Sequence, residues 1–249
     1  MDSTALPARF APSRIAPETF VIHHRRLVDD GLLPVNVMVI RGAEPVLVDT
    51  GDGGELLDDV FGVVEPADIR WVFVSNDDAD HIGNLAAILD AAPHAVAVLD
   101  PGLCRRRGAA LAVPAGRRLL VGDGQRFEAG DRRLVAVRPP VYGSPATRGL
   151  YDPTTGVYWS ADAFACVVAA EVADVAALDA VTWAEAMAAE QQRIAPWLAL
   201  VDDRRFQASV DRVDGLAASA VAGSHTPVIR RGRVDAALAI TRRAPALAW

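Results

Sequence analysis

Short apolar runs that end at glycine or proline alternate with stretches of helical periodicity along most of the chain. Where such a run is rich in valine and isoleucine, we predict a strand. Where apolar residues recur three and four positions apart, we predict a helix. In the first half, the predicted strands are 20–28, 35–41, 45–49, 71–74 and 95–99, and the predicted helices are 81–91 and 102–112.

The second half has the same two kinds of pattern, with more helix toward its end. Its predicted elements are strands 119–121, 125–127 and 132–138, a loop 139–149, a hairpin of 150–152 and 157–160 with its turn at 153–156, helices 183–193 and 196–219, strand 220–222 and helix 234–242. Residues 1–19 contain three prolines and predict an irregular arm. We therefore expect an arm over 1–19 and one α/β domain over 20–249, with helices covering two packed sheets.

Composition narrows the functional classes. The chain has 249 residues, 51% of them hydrophobic, and a net charge of −7, which argues against nucleic acid as the main partner. All 25 basic residues are arginine, which excludes lysine chemistry. No signal peptide begins the sequence, and acidic residues interrupt the alanine-rich stretch 163–181, so we expect a cytoplasmic protein without a membrane span. Cys104 and Cys166 are expected to be reduced thiols.

Polar loop segments follow four of the predicted strands. They are 49–51, 76–81, 160–162 and 223–225. Functional loops gather at strand ends in layered α/β proteins, so we expect these four segments to meet. Their carboxylates and imidazoles offer oxygen and nitrogen ligands to a metal such as zinc, iron or manganese.

These segments resemble the motifs of the metallo-β-lactamase superfamily. The stretch 35–51 is similar to its opening strands, 76–85 to its signature His-x-His-x-Asp-His-x-Gly, 155–162 to the strand before the metal-bridging aspartate, and 223–227 to its final histidine motif. The resemblance implies the four-layer αββα metallo-β-lactamase sandwich.

The similarity is greatest to the oxygen-binding di-iron proteins, which are related to the catalytic core of flavodiiron proteins. In that branch a carboxylate replaces the second histidine of the signature, and Asp78 stands at that place. The segment 144–152 is also similar. This resemblance implies dioxygen as a partner and suggests a homodimer. Because the sequence ends at Trp249, we expect no flavodoxin domain, and therefore a separate electron donor for any redox role.

The resemblance also implies two metal sites, of which this sequence keeps one. The first site would use Asn76, Asp78, a residue near Gly143, and the bridging Asp162. Asparagine and glycine are poor substitutes for the expected ligands, although Tyr142 or Ser144 offers an oxygen nearby. The second site is complete. Its ligands would be Asp80, His81, Asp162 and His225. We therefore expect one iron or zinc ion.

Other residues near the motifs have secondary roles in this interpretation. Asp78 would be a general base beside a metal-bound water, and Asp49 would order a ligand. Either Asp78 or Asp80 could instead cap the helix that follows. Arg148 is a candidate for binding an anionic substrate, but a structural salt bridge is the preferred interpretation. The arginines at 105–107 are expected to form an exposed helix face.

Three functional hypotheses are compatible with this sequence. The first is a di-iron-type, oxygen-binding metalloprotein or enzyme reduced to one metal. The second is a hydrolase in which metal-bound water attacks a small ester, thioester, lactone or amide. The third is a binding or scaffold protein without turnover.

Overall fold

The computed structural model describes residues 10–247. Its strands are β1 (Ser13–Ala16), β2 (Thr19–Ile22), β3 (Arg25–Val28), β4 (Gly31–Pro34), β5 (Val37–Ile40), β6 (Val46–Val48), β7 (Trp71–Phe73), β8 (Val96–Leu99), β9 (Arg118–Leu120), β10 (Arg126–Ala129), β11 (Arg132–Val137), β12 (Gly149–Asp152), β13 (Val157–Trp159), β14 (Ala220–Gly223) and β15 (Thr226–Arg230). The α-helices are α1 (Gly54–Phe61), α2 (Ala79–Ile82), α3 (Leu85–Ala91), α4 (Pro101–Arg107), α5 (Ala180–Ile194), α6 (Asp203–Asp214) and α7 (Arg231–Arg242).

Two sheets form the centre of the fold. One has seven strands in the order β1-β2-β5-β6-β7-β8-β9, and the other has six in the order β10-β11-β12-β13-β14-β15. The pairs β6–β7, β7–β8 and β8–β9 are parallel, so each requires a crossover, and α1 to α4 lie in those crossovers. Strands β3 and β4 form a separate hairpin.

Alternation along each strand explains the layers, because successive side chains point to opposite faces of a sheet. In β5, Met38 belongs to the core between the two sheets, whereas Val37 and Val39 belong to the core beneath α1 and α3. In β13, Trp159 points between the sheets and Tyr158 points toward α5, α6 and α7. The four-layer αββα arrangement expected from the sequence is therefore confirmed.

Several element boundaries differ from the sequence-based expectations. The predicted strand 20–28 is two strands in different sheets, because strand pairing is interrupted at His23–His24. The arm predicted over 1–19 is not irregular from Ser13 onward, where β1 pairs with β2; its first nine residues lie outside the described part of the chain. The sequence interpretation also missed α1, β4 and β15.

Two predicted helices are interrupted. The helix expected over 81–91 is divided into α2 and α3 at Gly83–Asn84. The helix expected over 196–219 consists of a short 3-10 turn followed by α6, which ends at Asp214. Within residues 10–247, no helix combines the length and apolar character that crossing a bilayer requires.

Candidate metal centre

The four polar segments expected to meet do meet, at one edge of the sandwich. Asp49 follows β6, the signature loop follows β7, Asp162 follows β13 and His225 follows β14. Strands β6 and β7 are parallel neighbours, and so are β13 and β14, so their carboxyl ends lie side by side. The two sheets thus contribute two loops each.

His81 is completely buried and is held from both sides. Its Nδ1 lies 3.0 Å from Asp49 Oδ2, and its Nε2 lies 2.9 Å from Asp162 Oδ1. Burial alone would lower the pKa of His81, but the carboxylates of Asp49 and Asp162 raise it well above its ordinary value. Because Nδ1 contacts Asp49, Nε2 is the nitrogen that faces the centre.

His225 is oriented in the same way from the opposite side. Its Nδ1 lies 2.7 Å from the carbonyl oxygen of Pro34, so it donates there and leaves Nε2 facing the centre. That Nε2 lies 3.6 Å from Asp80 Oδ2 and 3.7 Å from Asp162 Oδ1. One ligand atom from each of Asp80, His81 and His225 lies within 4.8 Å of the other two.

Two buried atoms at this centre suggest a cation. His81 Nε2 and Asp162 Oδ1 each lack a hydrogen-bond partner of acceptable geometry, although they lie 2.9 Å apart. Buried polar atoms are rarely left without a partner, because their desolvation is then uncompensated. A cation coordinated by both would remove that cost, and two imidazoles with two carboxylates suit iron or zinc. The residues present therefore fit a metal ion.

The residues expected to form the first metal site are hydrogen-bonded to one another. The buried Asn76 side chain donates from Nδ2 to Asp162 Oδ2 at 2.8 Å and to Asp78 Oδ2 at 3.2 Å. An amide nitrogen thus lies between the two carboxylates that were expected to hold a first metal. Asp78 immediately precedes α2 but makes no capping hydrogen bond with its side chain, so the capping interpretation does not account for that side chain.

Asp49 is the hydrogen-bond hub beneath the centre. Its Oδ1 accepts from the Ser75 backbone amide at 2.7 Å. Its Oδ2 accepts from Ser75 Oγ at 2.6 Å, Trp159 Nε1 at 3.1 Å and Ser224 Oγ at 3.2 Å, besides its contact with His81. Its backbone adopts a positive φ of 59°, which aspartate tolerates better than most residues. These contacts join three of the four loops.

The loop 142–148 does not direct the side-chain oxygens expected from the sequence toward the centre, because Tyr142 and Ser144 make other contacts. The Tyr142 ring packs on Trp197 with centroids 4.9 Å apart, and Ser144 Oγ accepts from the Ala146 amide within its own turn. Gly143 borders the metal cavity but has no side chain. Arg148 forms a buried salt bridge with Asp100 at 2.7 Å, which is the interpretation that the sequence favoured.

The arginines at 105–107 lie on an exposed helix face, as expected from the sequence, but two of them are not free. They are exposed, but Arg106 and Arg107 both pair with the buried carboxylate of Asp77. Burial opposes ionisation of Asp77, yet these guanidinium groups lower its pKa overall. Helix α4 thus anchors the signature loop between Asn76 and Asp78.

A cavity of about 440 Å³ opens onto the centre. It is lined by Arg26, Leu33, Asp78, Ala79, Asp80, Gly143, Asp162, Arg193, Ile194 and His225. Sequence reasoning missed Arg26 and Arg193. Arg26 contacts Asp80 at 3.4 Å, whereas Arg193 pairs with Glu190 on α5. Neither belongs to a motif, so no local sequence signal marks them.

Comparison with known proteins agrees with this geometry. The sequence profile of the metallo-beta-lactamase superfamily matches residues 30–168, more than half of the chain. The chain belongs to this superfamily. The matched region includes three of the four loops of the centre, and His225 lies beyond it.

Individual relatives point toward flavodiiron proteins. Rubredoxin oxygen:oxidoreductase from Desulfovibrio gigas has a TM-score of 0.81 at 16% identity, covering 94% of this chain and 61% of that one. The flavodiiron protein from Giardia intestinalis has a TM-score of 0.79 at 17% identity, covering 96% of this chain and 60% of that one. Diflavin flavoprotein A 2 from Nostoc sp. is 30% identical over 139 residues, which is 52% of this chain and 23% of that protein. The chain is thus similar to the core of these longer proteins.

Proposed function

We propose that this protein is an oxygen-binding metalloprotein of the di-iron type that holds a single iron ion. Its ligands are Asp80, His81, Asp162 and His225. The observation that carries the proposal is the pair of buried atoms without hydrogen-bond partners, His81 Nε2 and Asp162 Oδ1, which face each other across the centre. Iron is favoured over zinc because similar proteins are named as flavodiiron proteins and as an oxygen:oxidoreductase.

A single metal is favoured by the arrangement on the other side of Asp162. The Asn76 amide donates to both Asp78 and Asp162, which reduces the repulsion between these carboxylates without a cation. Gly143 supplies no ligand atom from its side chain. A first-site metal would have to displace the amide and would gain no imidazole from this loop.

The residues around the ion have separable roles. When bound, iron supplies one-electron chemistry and an open coordination position for a small molecule such as dioxygen. Asp49 and the Pro34 carbonyl hold the His81 and His225 rings with Nε2 toward the centre. Asp78 is exposed to the cavity and is the carboxylate placed to accept or return a proton there. In this proposal a separate donor supplies the electrons for any redox step.

Metal content and ligand response test the proposal together. Protein from medium containing both iron and zinc should carry about one iron per chain by inductively coupled plasma mass spectrometry. The iron should give an absorption change when nitric oxide or dioxygen is added to protein that has been kept anaerobic. Bound zinc with turnover of simple esters would instead favour the hydrolase, in which Asp78 is the base. Folded protein that binds no metal would refute both.

Three variants locate the occupied site. His225→Ala and Asp80→Ala should abolish metal binding, because each removes a ligand that the remaining residues cannot replace. Asn76→Ala should retain the metal, because its amide donates hydrogen bonds and binds no cation. Loss of metal from Asn76→Ala, or about two metals in the unmodified protein, would show that the site is assigned wrongly.

A further inference from the structure

A second cavity, of about 430 Å³, lies beside α4 and is unusually basic for a chain whose net charge is −7. It is lined by Asp100, Gly102, Arg105, Arg106, Arg138, Pro145, Ala146 and Arg148. Its volume is in the range of small-molecule sites. We refer to it as the arginine cavity.

Two of the four arginines have carboxylate partners. Arg148 pairs with Asp100, and Arg106 pairs with Asp77. Within residues 10–247, no carboxylate lies within ion-pair distance of the Arg105 or Arg138 guanidinium.

The nearby carboxylate of Asp123 is already paired with another arginine. Its Oδ1 accepts from the backbone amide of Arg138, and its carboxylate is bound at 2.8 and 2.9 Å by the Arg212 guanidinium. The arginine cavity therefore keeps two cationic side chains, Arg105 and Arg138, without a neutralising carboxylate.

Two of the arginines that line the arginine cavity, Arg138 and Arg148, are partly or largely buried and are held by neighbouring groups. The Arg148 side chain is only 7% exposed, and Arg138 donates to the Pro145 carbonyl at 3.0 Å. The Nε atoms of Arg138 and Arg148 are buried and lack a hydrogen-bond acceptor. Burial, and next the Arg138 cation, lower the pKa of Arg148, so the neighbouring cations repel each other. An anion between them would relieve that repulsion.

We infer that the arginine cavity binds a small molecule through a dianionic phosphoryl group. Two unneutralised guanidinium groups match a double negative charge, which a single carboxylate does not supply. The planar guanidinium fork also matches phosphate oxygens in pairs. Gly102 has no side chain, and a Cβ there would lie 2.8 Å from Asp100 Oδ1, so glycine leaves room for the Asp100 carboxylate that pairs with Arg148.

This site is separate from the metal centre but adjoins its loop. Arg106 lines the arginine cavity and pairs with Asp77, which stands between Asn76 and Asp78 in sequence. The inference does not depend on the proposed function, since none of the four metal ligands lines this cavity.

Calorimetric titration with inorganic phosphate and pyrophosphate tests the inference on the full chain. Saturable binding is expected for at least one of them, and it should weaken about tenfold or more in Arg105→Gln and in Arg138→Gln, since each loses a charged donor. Arg138→Lys should recover part of the loss. Arg14→Gln is the matched control. Arg14 is exposed on β1, at the opposite edge of the seven-stranded sheet from β8 and β9, the strands that α4 connects. Circular dichroism should show that all variants are folded.

Two further measurements test where the anion binds and whether its double charge matters. His225→Ala should bind phosphate as the unmodified protein does; loss of binding there would place the anion at the metal centre and overturn the inference. Acetate, which carries a single negative charge, should bind at least tenfold more weakly than phosphate. Equal affinity for acetate, an equal loss in Arg14→Gln, or no saturable binding of either phosphate probe would also overturn it.

Discussion

Replacing Asp49 with asparagine tests whether one buried carboxylate holds the metal centre together. Asparagine has nearly the same shape and also tolerates the positive φ of 59° at this position. The backbone should therefore be undisturbed, and the effect should come from the lost charge and the altered hydrogen bonding. Alanine would be a less informative replacement because it adds backbone strain.

The expected magnitude follows from the donors around Asp49. If the new amide places its NH₂ group at Oδ1, that group faces the Ser75 backbone amide, 2.7 Å away. If it places the NH₂ group at Oδ2, it faces His81 Nδ1, Trp159 Nε1 and the hydroxyls of Ser75 and Ser224, all within 3.2 Å. Hydroxyls can turn and accept, but the indole N–H cannot. At least one buried donor is left without a partner, and hydrogen bonds to a charge are lost.

We expect Asp49→Asn to lower the free energy of unfolding by about 2–4 kcal/mol, since an unsatisfied buried donor costs about 1–3 kcal/mol. For a chain of this size, that corresponds to a fall in Tm of about 5–15 °C. Metal affinity should fall about 10- to 100-fold, because His81 is no longer held by a carboxylate.

Denaturant unfolding and competitive metal titration measure these two effects. Asp90→Asn on the exposed end of α3 is the control for loss of one charge, and it should change neither. An Asp49→Asn protein as stable as the unmodified one would refute the hub role. A destabilised protein with unchanged metal affinity would mean that Asp49 supports the fold without orienting His81.

Three further predictions concern other parts of the fold. Burial raises the pKa of the Cys166 thiol to about 12, so at pH 8 a thiol reagent should label only the partly exposed Cys104, and both only after unfolding. Gly149→Ala would place a Cβ 2.4 Å from a carbonyl oxygen of β13 and should destabilise the protein by about 1–3 kcal/mol in denaturant unfolding. Its control, Gly232→Ala, meets open space in α7 and should be neutral or stabilising by up to about 1 kcal/mol. Burial opposes ionisation of Asp123, but hydrogen bonds from Arg212 and from the Arg138 backbone amide outweigh it, so the pKa of Asp123 lies below its ordinary value. Stability from this depressed pKa is fully present above the pKa of the unfolded state and is lost as pH falls through the pKa of the folded state. The Tm difference between Asp123→Asn and the unmodified protein should therefore shrink in acid.

The sequence predicted the meeting of the four loops better than it predicted the residues around them. The four loops could be recognised because each polar segment directly follows a strand, and strand ends of parallel neighbours must meet. Arg26 and Arg193 reach the same cavity from a hairpin and from α5, where their immediate sequence carries no signal. Their proximity depends on how the sheets pack, which local periodicity does not encode.

The missed elements have local physical reasons. Strand β15 contains Pro227, which normally argues against a central strand, but β15 is the outermost strand of its sheet. Helix α1 begins at Gly54 after another glycine, a pattern that is more typical of a loop. The single helix expected over 81–91 is divided at Asn84, whose backbone leaves the helical region and whose side chain donates to the carbonyl oxygens of Thr50 and Gly53 in the neighbouring loop.

The difference between the two halves of the centre has a common electrostatic origin. Carboxylates that converge in a buried site need positive charge or hydrogen-bond donors between them. Between Asp78 and Asp162 the donor is the Asn76 amide, which belongs to the chain itself. Between Asp162 and His81 the facing atoms lie 2.9 Å apart without a hydrogen bond of acceptable geometry. One half of the centre is therefore satisfied by the protein alone, and we propose that a cation completes the other half. This asymmetry is why we expect one ion and not two.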